Sequence, residues 1–161
     1  MKSHPPLPMG YSSVPPGKLA TVVTCLAMEE RPQPKESRVP AGYTLKRLEK
    51  PHLDRYRGFY RLIGEDWLWI SRLVMSDEEL SGNIHHPQVE IFVLRCEGRD
   101  VGMLELDFRE DRAGEIVFLG LTKDAIGNGA GRYLMDRALL IAWSHPIERL
   151  WLHTCTLDSP S

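Results

Sequence analysis

The sequence is poor in cysteine, nearly balanced in charge and without long apolar runs. Its three cysteines, Cys25, Cys96 and Cys155, are sparse and odd in number, which argues for reduced thiols in a cytoplasmic setting. The 20 Lys and Arg residues against 22 Asp and Glu leave a formal charge of −2, so the charge balance gives no case for nucleic-acid binding. No run is long and apolar enough for a membrane span, and no apolar segment follows the charged N-terminus as in a secretory signal.

What remains is the composition of one ordinary globular domain. A chain of 161 residues with 42% hydrophobic and 26% charged residues can bury a sizeable core. Residues 1–16 hold five prolines among small and polar residues, which predicts a flexible arm. Residues 17–161 then form a single domain, with a charged, proline-rich connector at 31–40.

Apolar periodicity predicts a mixed α/β chain. The Ser76–Glu79 capping box predicts a helix start. The turn at 111–114 predicts an antiparallel meander, and the final strand–helix–strand unit predicts a parallel crossover. In chain order, the predicted elements are a strand at 19–28 centred on residues 20–24, a strand at 43–48, helices at 52–63 and from Ser76 to the His85–Pro87 segment, strands at 89–96, 103–109 and 115–121, a helix after the glycines, and a strand at 150–155.

The segment from Glu115 to Met135 carries the most information. Its apolar start predicts a buried strand, and Gly127, Gly129 and Gly131 then allow tight bends and a close approach of the backbone to a ligand. The helix that follows would present unpaired N–H groups and the positive end of its dipole. We therefore expect this loop to hold a phosphorylated ligand through its backbone.

Three interpretations of the glycine loop compete. A P-loop requires Gly-Lys-Ser/Thr, whereas Arg132 and Tyr133 follow the last glycine. A dinucleotide fingerprint requires its glycines directly after the strand and a third glycine where Leu134 stands. Asp158 could serve as a ribose-binding acid, so a dinucleotide-binding oxidoreductase stays open, as does a turn that binds nothing.

Strand, spacer, glycine loop and helix resemble motif A of the GNAT N-acetyltransferases. Gly129 and Gly131 fill the motif's glycine positions, and Ile126 replaces its first Gln or Arg. That replacement removes a side chain but leaves the backbone amides. Residues 14–158 more broadly resemble bacterial GNAT proteins, through Pro16–Thr24, Gly64–Trp69, Phe118–Leu121 and Trp151–Asp158.

The resemblance implies a GNAT fold, a mostly antiparallel sheet flanked by helices, here with an extra N-terminal strand. It implies acetyl-CoA as the acetyl donor and direct transfer to a primary amine, on a small molecule, a peptide or a protein. Leu119 and Leu121 would pair with the pantetheine arm between the splayed strands, and an N–H near Leu119 would polarise the thioester carbonyl. The loop that would hold the pyrophosphate comprises Ile126, Gly127, Asn128, Gly129, Ala130, Gly131 and Arg132.

Candidate residues for the chemistry follow from the same resemblance. Glu115 lies where the histone-acetyltransferase branch places its general base, although a glutamate at a strand start is also an ordinary solvated residue. Trp67 and Trp69 follow the first helix, where acceptor pockets lie in the family, although large aromatic residues are more often core. Glu105 and Asp107 share a strand face that either lines the acceptor site or faces solvent.

Other polar residues carry weaker expectations. His153 and Cys155 share a strand face. His153 could act as a base or Cys155 as a nucleophile, but buried packing is the expected role of both. His85 and His86 have no second cluster at metal-ligand spacing, so no metal is expected.

The end of the chain lacks elements that the resemblance implies. GNAT domains continue with a helix and two strands, and these often supply a tyrosine that protonates the leaving thiolate. We therefore expect a C-terminally incomplete domain, with no residue assignable as that acid. The 150–155 strand would need cover from the N-terminal strand or from a partner such as a second copy. A catalytically inactive acyl-CoA binding module is the alternative to an enzyme.

Overall fold

The computed structural model describes residues 9–33 and 40–159. Residues 1–8 of the expected arm and 34–39 of the expected connector lie outside the described residues. Within the described ranges the elements are β1 (Val23–Met28), β2 (Tyr43–Leu48), α1 (Leu53–Gly64), α2 (Asp77–Ile84), β3 (Val89–Cys96), β4 (Arg99–Asp107), β5 (Ala113–Leu121), α3 (Ala130–Ala142) and β6 (Arg149–Cys155).

The six strands form one mixed sheet in the order β1-β6-β5-β4-β3-β2. Every neighbouring pair is antiparallel except β5 and β6, which are parallel. The predicted meander, parallel crossover and N-terminal strand are therefore confirmed. A sheet with one parallel pair is not the doubly wound sheet that a dinucleotide-binding domain requires, so the fold argues against the oxidoreductase interpretation.

Four predicted strands differ in their bounds, β5 and β6 only by an earlier start, at Ala113 and Arg149. β1 begins at Val23, not at residue 19, because its ladder pairs Val23 with Cys155, the last residue of β6. β4 is Arg99–Asp107, not 103–109. Glu97 and Gly98 have positive φ values of 51° and 81° and join β3 directly to β4. A two-residue turn of this kind starts the second strand at once.

Helices cover both faces of the sheet. α1 and α2 pack on one face around Tyr60, Leu80 and Met103, and α3 packs on the other around Leu104 and Leu134. The predicted capping box starts α2 as expected. The Glu79 N–H donates to Ser76 Oγ at 3.2 Å, and the Ser76 N–H donates to Glu79 Oε2 at 3.0 Å.

β5 and β6 separate after a short paired stretch. Their register runs from Ala113 opposite Arg149 to Ile116 opposite Leu152, although both strands continue beyond it. On its other side β5 carries one unmatched residue, Val117, between the partners of Glu105 and Leu106. A bulge bends a strand and interrupts its ladder. The strand therefore bends where the two part, and a gap opens in the sheet.

Candidate active site

A cavity of about 770 Å³ occupies the gap between β5 and β6. The end of β5 lines one side, and the end of β6 with residues 157–159 lines the other. The glycine loop before α3 closes one part of it, and the segment after α1 closes another. The splayed strands therefore create a site that the paired ends of the same strands could not.

The glycine loop brings the N-terminus of α3 to this cavity. Gly127 and Gly129 have φ values of 89° and 78°, and an added Cβ at either would meet no atom within 4 Å. Glycine is required there by backbone conformation rather than by crowding. Gly129 precedes the first helical residue, and Gly131 and Arg132 line the cavity. The free N–H groups of the first helical turn are thus available to an anion.

Most of the expected cofactor residues lie at the cavity. Asn128 and Ala130 do not line it, and the Ala130 side chain is fully buried in the core. The expected residues that line it are Leu119, Leu121, Ile126, Gly127, Gly129, Gly131 and Arg132.

Trp67 and Trp69 both line the cavity. Trp69 is also a core residue, because its ring packs on Tyr60 and Phe118 at centroid distances of 5.6 and 5.1 Å. A Cβ on Gly64 would clash with the Cβ of Trp69. That glycine therefore leaves space for the indole, and Trp69 both lines the cavity and packs in the core.

Asp158 connects the end of β6 to the tryptophan segment. Its Oδ1 accepts from Trp69 Nε1 at 3.2 Å, and its Oδ2 accepts from the Cys155 amide at 2.7 Å and from Thr154 Oγ1 at 3.0 Å. Burial opposes ionisation, but these hydrogen bonds outweigh it and lower the pKa of Asp158. A carboxylate with three internal donors holds the cavity wall together, and this is a different role from that of a ribose-binding acid.

Glu115 lies behind the cavity rather than in its lining. Its Oε1 is 3.3 Å from Nδ1 of His153, which does line the cavity. Burial raises the pKa of Glu115, and the neighbouring imidazole partly offsets this. The expectation that His153 is buried is wrong, because 38% of its side chain is exposed.

Glu105 and Asp107 lie outside the cavity lining. A solvent-facing role for Glu105 is wrong, because its exposure is 0%. It pairs with the guanidinium of Arg72 and accepts from Tyr56 Oη at 2.5 Å. Asp107 is held by Arg109 and is only 13% exposed at its side chain. Burial opposes ionisation of Asp107, but hydrogen bonds from Arg109 lower its pKa.

Sequence reasoning missed Arg72 altogether. One signal was present, since this arginine stands in the mostly apolar stretch 67–75. A charge inside an apolar stretch indicates a buried partner. Within the described residues, no group of three or more His, Cys, Asp or Glu side chains could hold a metal ion. Nor is any described helix long and apolar enough to cross a membrane.

Comparison with known proteins identifies the family. The profile of the acetyltransferase (GNAT) family matches residues 55–161. This is about two thirds of the chain and includes β5, the glycine loop and α3. The chain therefore belongs to the GNAT acetyltransferase family. The comparison with curated proteins finds no match.

Solved structures share the fold at low sequence identity. An aminoglycoside acetyltransferase from an uncultured soil metagenomic sample, in complex with sisomicin, is 17% identical, with a TM-score of 0.60 over 73% of this chain and 81% of that one. A GCN5-related N-acetyltransferase from Kribbella flavida is 15% identical, with a TM-score of 0.58 over 83% of this chain and 50% of that one. The chain thus spans about half the length of the Kribbella protein. Likeness at this level of identity establishes a common fold.

Proposed function

We propose that this chain is an acetyl-CoA-dependent N-acetyltransferase that modifies a primary amine on a small molecule. The observation that carries the proposal is the cavity between β5 and β6, with the N-terminus of α3 at its glycine-loop end. Family membership supports the acetyltransferase chemistry.

The residues at the cavity fit coenzyme A. Gly127, Gly129 and Gly131 keep side chains away from the loop, so the amides that begin α3 can approach a pyrophosphate. Beyond Ile116 the β6-facing edge of β5 has no ladder partner in the described structure. Its backbone groups are therefore free to pair with the amides of a pantetheine arm. The cavity volume falls in the range of small-molecule and cofactor sites.

The chain's own groups would perform positioning and proton transfer. Bound acetyl-CoA supplies the activated acetyl thioester. A backbone N–H of β5 near Leu119 would stabilise negative charge on the thioester oxygen. Glu115 would promote loss of the amine's proton. Because Glu115 does not line the cavity, it would act through a neighbouring group that does, such as His153.

The part of the cavity beside the segment after α1, which we take as the acceptor end, favours an amine with an apolar body. Trp67, Leu68 and Ile70 line it, and the latter two are 50% and 61% exposed. Among the described lining residues, Asp158 is the one carboxylate, and its oxygens already accept three hydrogen bonds. The acetyltransferase of similar fold described above is an aminoglycoside acetyltransferase, and aminoglycosides carry several amino groups. The wall of this chain suits a monoamine with an aromatic or alkyl body better.

A charge reversal at Gly131 tests the cofactor site. An added Cβ there meets Leu121 Cδ1 at 3.5 Å, an ordinary contact, and its φ is not positive. A carboxylate in the first turn also stabilises a helix. We therefore expect Gly131→Glu to keep its melting temperature and to lose acetyl-CoA affinity by at least about tenfold, which is about 1.4 kcal/mol. Calorimetric titration of the purified protein with acetyl-CoA, with NADH alongside, measures this.

Two variants control the experiment. Gly131→Gln adds the same bulk without charge, so a smaller loss than in Gly131→Glu assigns the difference to repulsion of phosphate. Gly58→Glu adds the same charge at an exposed position of α1, where an added Cβ meets nothing within 4 Å, and should bind like wild type. Equal acetyl-CoA affinity in all four proteins would contradict the proposed site. Binding without acetyl transfer to any amine in a broad panel would instead favour an acyl-CoA binding module.

A further inference from the structure

We propose that His153, rather than Glu115, is the general base that contacts the acceptor amine, and that Glu115 is its positioning residue. The inference rests on the proposed acetyltransferase function and concerns the same cavity. It changes the residue that receives the proton.

The positions of the two side chains support this order. His153 lines the cavity and Glu115 does not. The imidazole is 38% exposed at its side chain and the carboxylate 20%. The amine can therefore approach the ring, whereas the ring lies between the amine and the carboxylate.

The contact also selects the useful form of the ring. Nδ1 of His153 lies 3.3 Å from Glu115 Oε1, and a carboxylate at this distance favours the tautomer with its hydrogen on Nδ1. The neutral ring then keeps its lone pair on Nε2. Among the described residues, the structure places the His153 ring beside Glu115 through Nδ1 and beside the Trp151 ring at a centroid distance of 6.2 Å, and neither contact uses Nε2. An acceptor nitrogen is thus available at the cavity surface.

The proton transfer balances without another reagent. The N–H bond of the bound ammonium breaks, a bond from that hydrogen to Nε2 forms, and the positive charge moves from the amine to the imidazole. The amine keeps the electron pair that attacks the acetyl carbonyl. The carboxylate of Glu115 stabilises the imidazolium, and the exposed ring returns the proton to solvent.

The neighbouring elements carry further charged and titratable groups near this pair. Glu115 comes from β5, and Asp107 with its partner Arg109 comes from the end of β4 and the residues after it. Arg72 contributes from the segment after α1. Cys25 lies opposite His153 on β1, and Cys155 and Asp158 follow it in the chain. Glu115 is the acid in contact with the ring, so the experiment varies that contact.

The first test is the pH dependence of kcat/KM in His153→Gln. At pH 7 we expect a loss of about 100-fold, as for removal of a general base, with acetyl-CoA affinity by calorimetry unchanged. The deficit should shrink to a few-fold near the acceptor amine's own pKa, where free amine is abundant and needs no base. A deficit of the same size at every pH would indicate a structural role and would overturn the assignment.

A double variant tests whether Glu115 acts through His153. If it does, His153→Gln with Glu115→Gln should be no slower than His153→Gln alone, because both changes remove one function. If Glu115 takes the proton directly, His153→Gln stays within a few-fold of wild type at pH 7 and the double variant loses much more. That result would overturn the proposal.

A spectroscopic measurement on the free protein requires no turnover. In ¹⁵N NMR spectra the neutral His153 ring should carry its hydrogen on Nδ1 in wild type, and should shift toward the Nε2–H form in Glu115→Leu. A ring that is mainly Nε2–H in wild type would contradict the geometry. His52→Gln is the matched control for His153→Gln and should keep the kcat/KM of wild type. His52 also pairs with an acid, Asp54 at 3.8 Å, but it is 79% exposed and lies outside the cavity.

Failure of this inference and failure of the proposed function give different results. A wild-type chain that acetylates amines, together with an unaffected His153→Gln variant, overturns only the assignment of the base. A wild-type chain that acetylates no amine overturns the proposed function and the role of His153 with it.

Discussion

At the scale of single residues, the least expected feature is a buried charged cluster that includes Arg72 of the segment after α1. Glu105 is fully buried, and its two oxygens meet Arg72 and Tyr56. Burial and the adjacent Glu105 carboxylate raise the pKa of Tyr56 well above its ordinary value, so the phenol stays a donor. Arg72 also lies 5.3 Å from the centre of the Phe118 ring. The cluster thus ties the segment that carries Trp69 and Ile70 to the centre of the sheet.

Removing one charge from this cluster should be costly. Arg72→Met leaves Glu105 as an unpaired buried carboxylate, and we expect it to lower the free energy of unfolding by about 3–5 kcal/mol. Adding Glu105→Leu to Arg72→Met should recover part of that loss, because no buried charge remains. Urea denaturation followed by circular dichroism measures both.

A surface ion pair provides the comparison. Arg149 and Glu110 pair at 2.6 Å with side chains 45% and 53% exposed, so Arg149→Met should cost less than about 1 kcal/mol. If Arg72→Met were as mild as Arg149→Met, the buried pair would not stabilise the segment after α1.

At the scale of elements, the segment after α1 lines the cavity and forms the wall that we propose for the acceptor amine, called here the acceptor wall. Leu68 adopts a left-handed conformation, with φ of 56°, directly after the short 3-10 helix Glu65–Trp67 that follows α1. Such a conformation costs energy in a residue with a side chain and persists when the surroundings hold it. The Trp69 hydrogen bond to Asp158 and the Arg72 pair anchor the segment C-terminal to Leu68. Leu68 and Ile70 are thereby kept at the cavity instead of collapsing into the core.

This wall predicts the order of acceptors. We expect tryptamine or 2-phenylethylamine to exceed spermine in kcat/KM, because the wall is apolar and its carboxylate is already hydrogen bonded. Trp67→Ala should raise KM for the aromatic amines by about tenfold, near 1.4 kcal/mol, and leave KM for acetyl-CoA unchanged. Steady-state acetylation assays measure these values.

A neighbouring position tests whether Trp67→Ala acts through a lost contact with the amine or through loosening of the whole segment. Val74 is 75% exposed, lies in the same segment and does not line the cavity, so Val74→Ala should leave the amine KM at the wild-type value. A preference for spermine over both aromatic amines would contradict an apolar acceptor end.

At the scale of the whole molecule, the first strand closes the sheet against the last. The Thr156 N–H donates to the Val22 carbonyl at 3.1 Å, at the end of the β1–β6 ladder. Along an antiparallel edge strand, residues alternate between those whose N–H and carbonyl face the neighbouring strand and those whose groups face away from it. Since Val22 faces β6, Thr24 also points its N–H to β6, whereas Cys25 points its N–H to solvent. β1 therefore covers an edge on which His153 lies.

Proline substitutions on β1 test this closure. Thr24→Pro removes a ladder donor, and we expect it to lower the free energy of unfolding by roughly 1–3 kcal/mol and to speed amide hydrogen exchange in β6. Cys25→Pro should be tolerated, since a solvent-facing N–H on an edge strand can be lost. Equal exchange rates in β6 for the two variants would contradict the assigned ladder.

The sequence alone predicted what depends on neighbours along the chain. The glycine loop, the Ser76–Glu79 box and the strands at 43–48 and 89–96 were predicted correctly, because backbone conformation, helix capping and local periodicity are properties of short segments. The resemblance to GNAT proteins rested on the same local pattern, and the glycine loop that it singled out lies at the cavity.

Tertiary structure decided which side chains meet. Glu105 looked like a surface carboxylate, because alternation along β4 cannot show that Arg72, 33 residues away, covers that face. The pairing of His153 with Glu115 depends on the parallel register of β5 and β6, and the cavity depends on the point at which that register ends. These contacts join residues distant in sequence, and only the packing of the whole sheet brings them together.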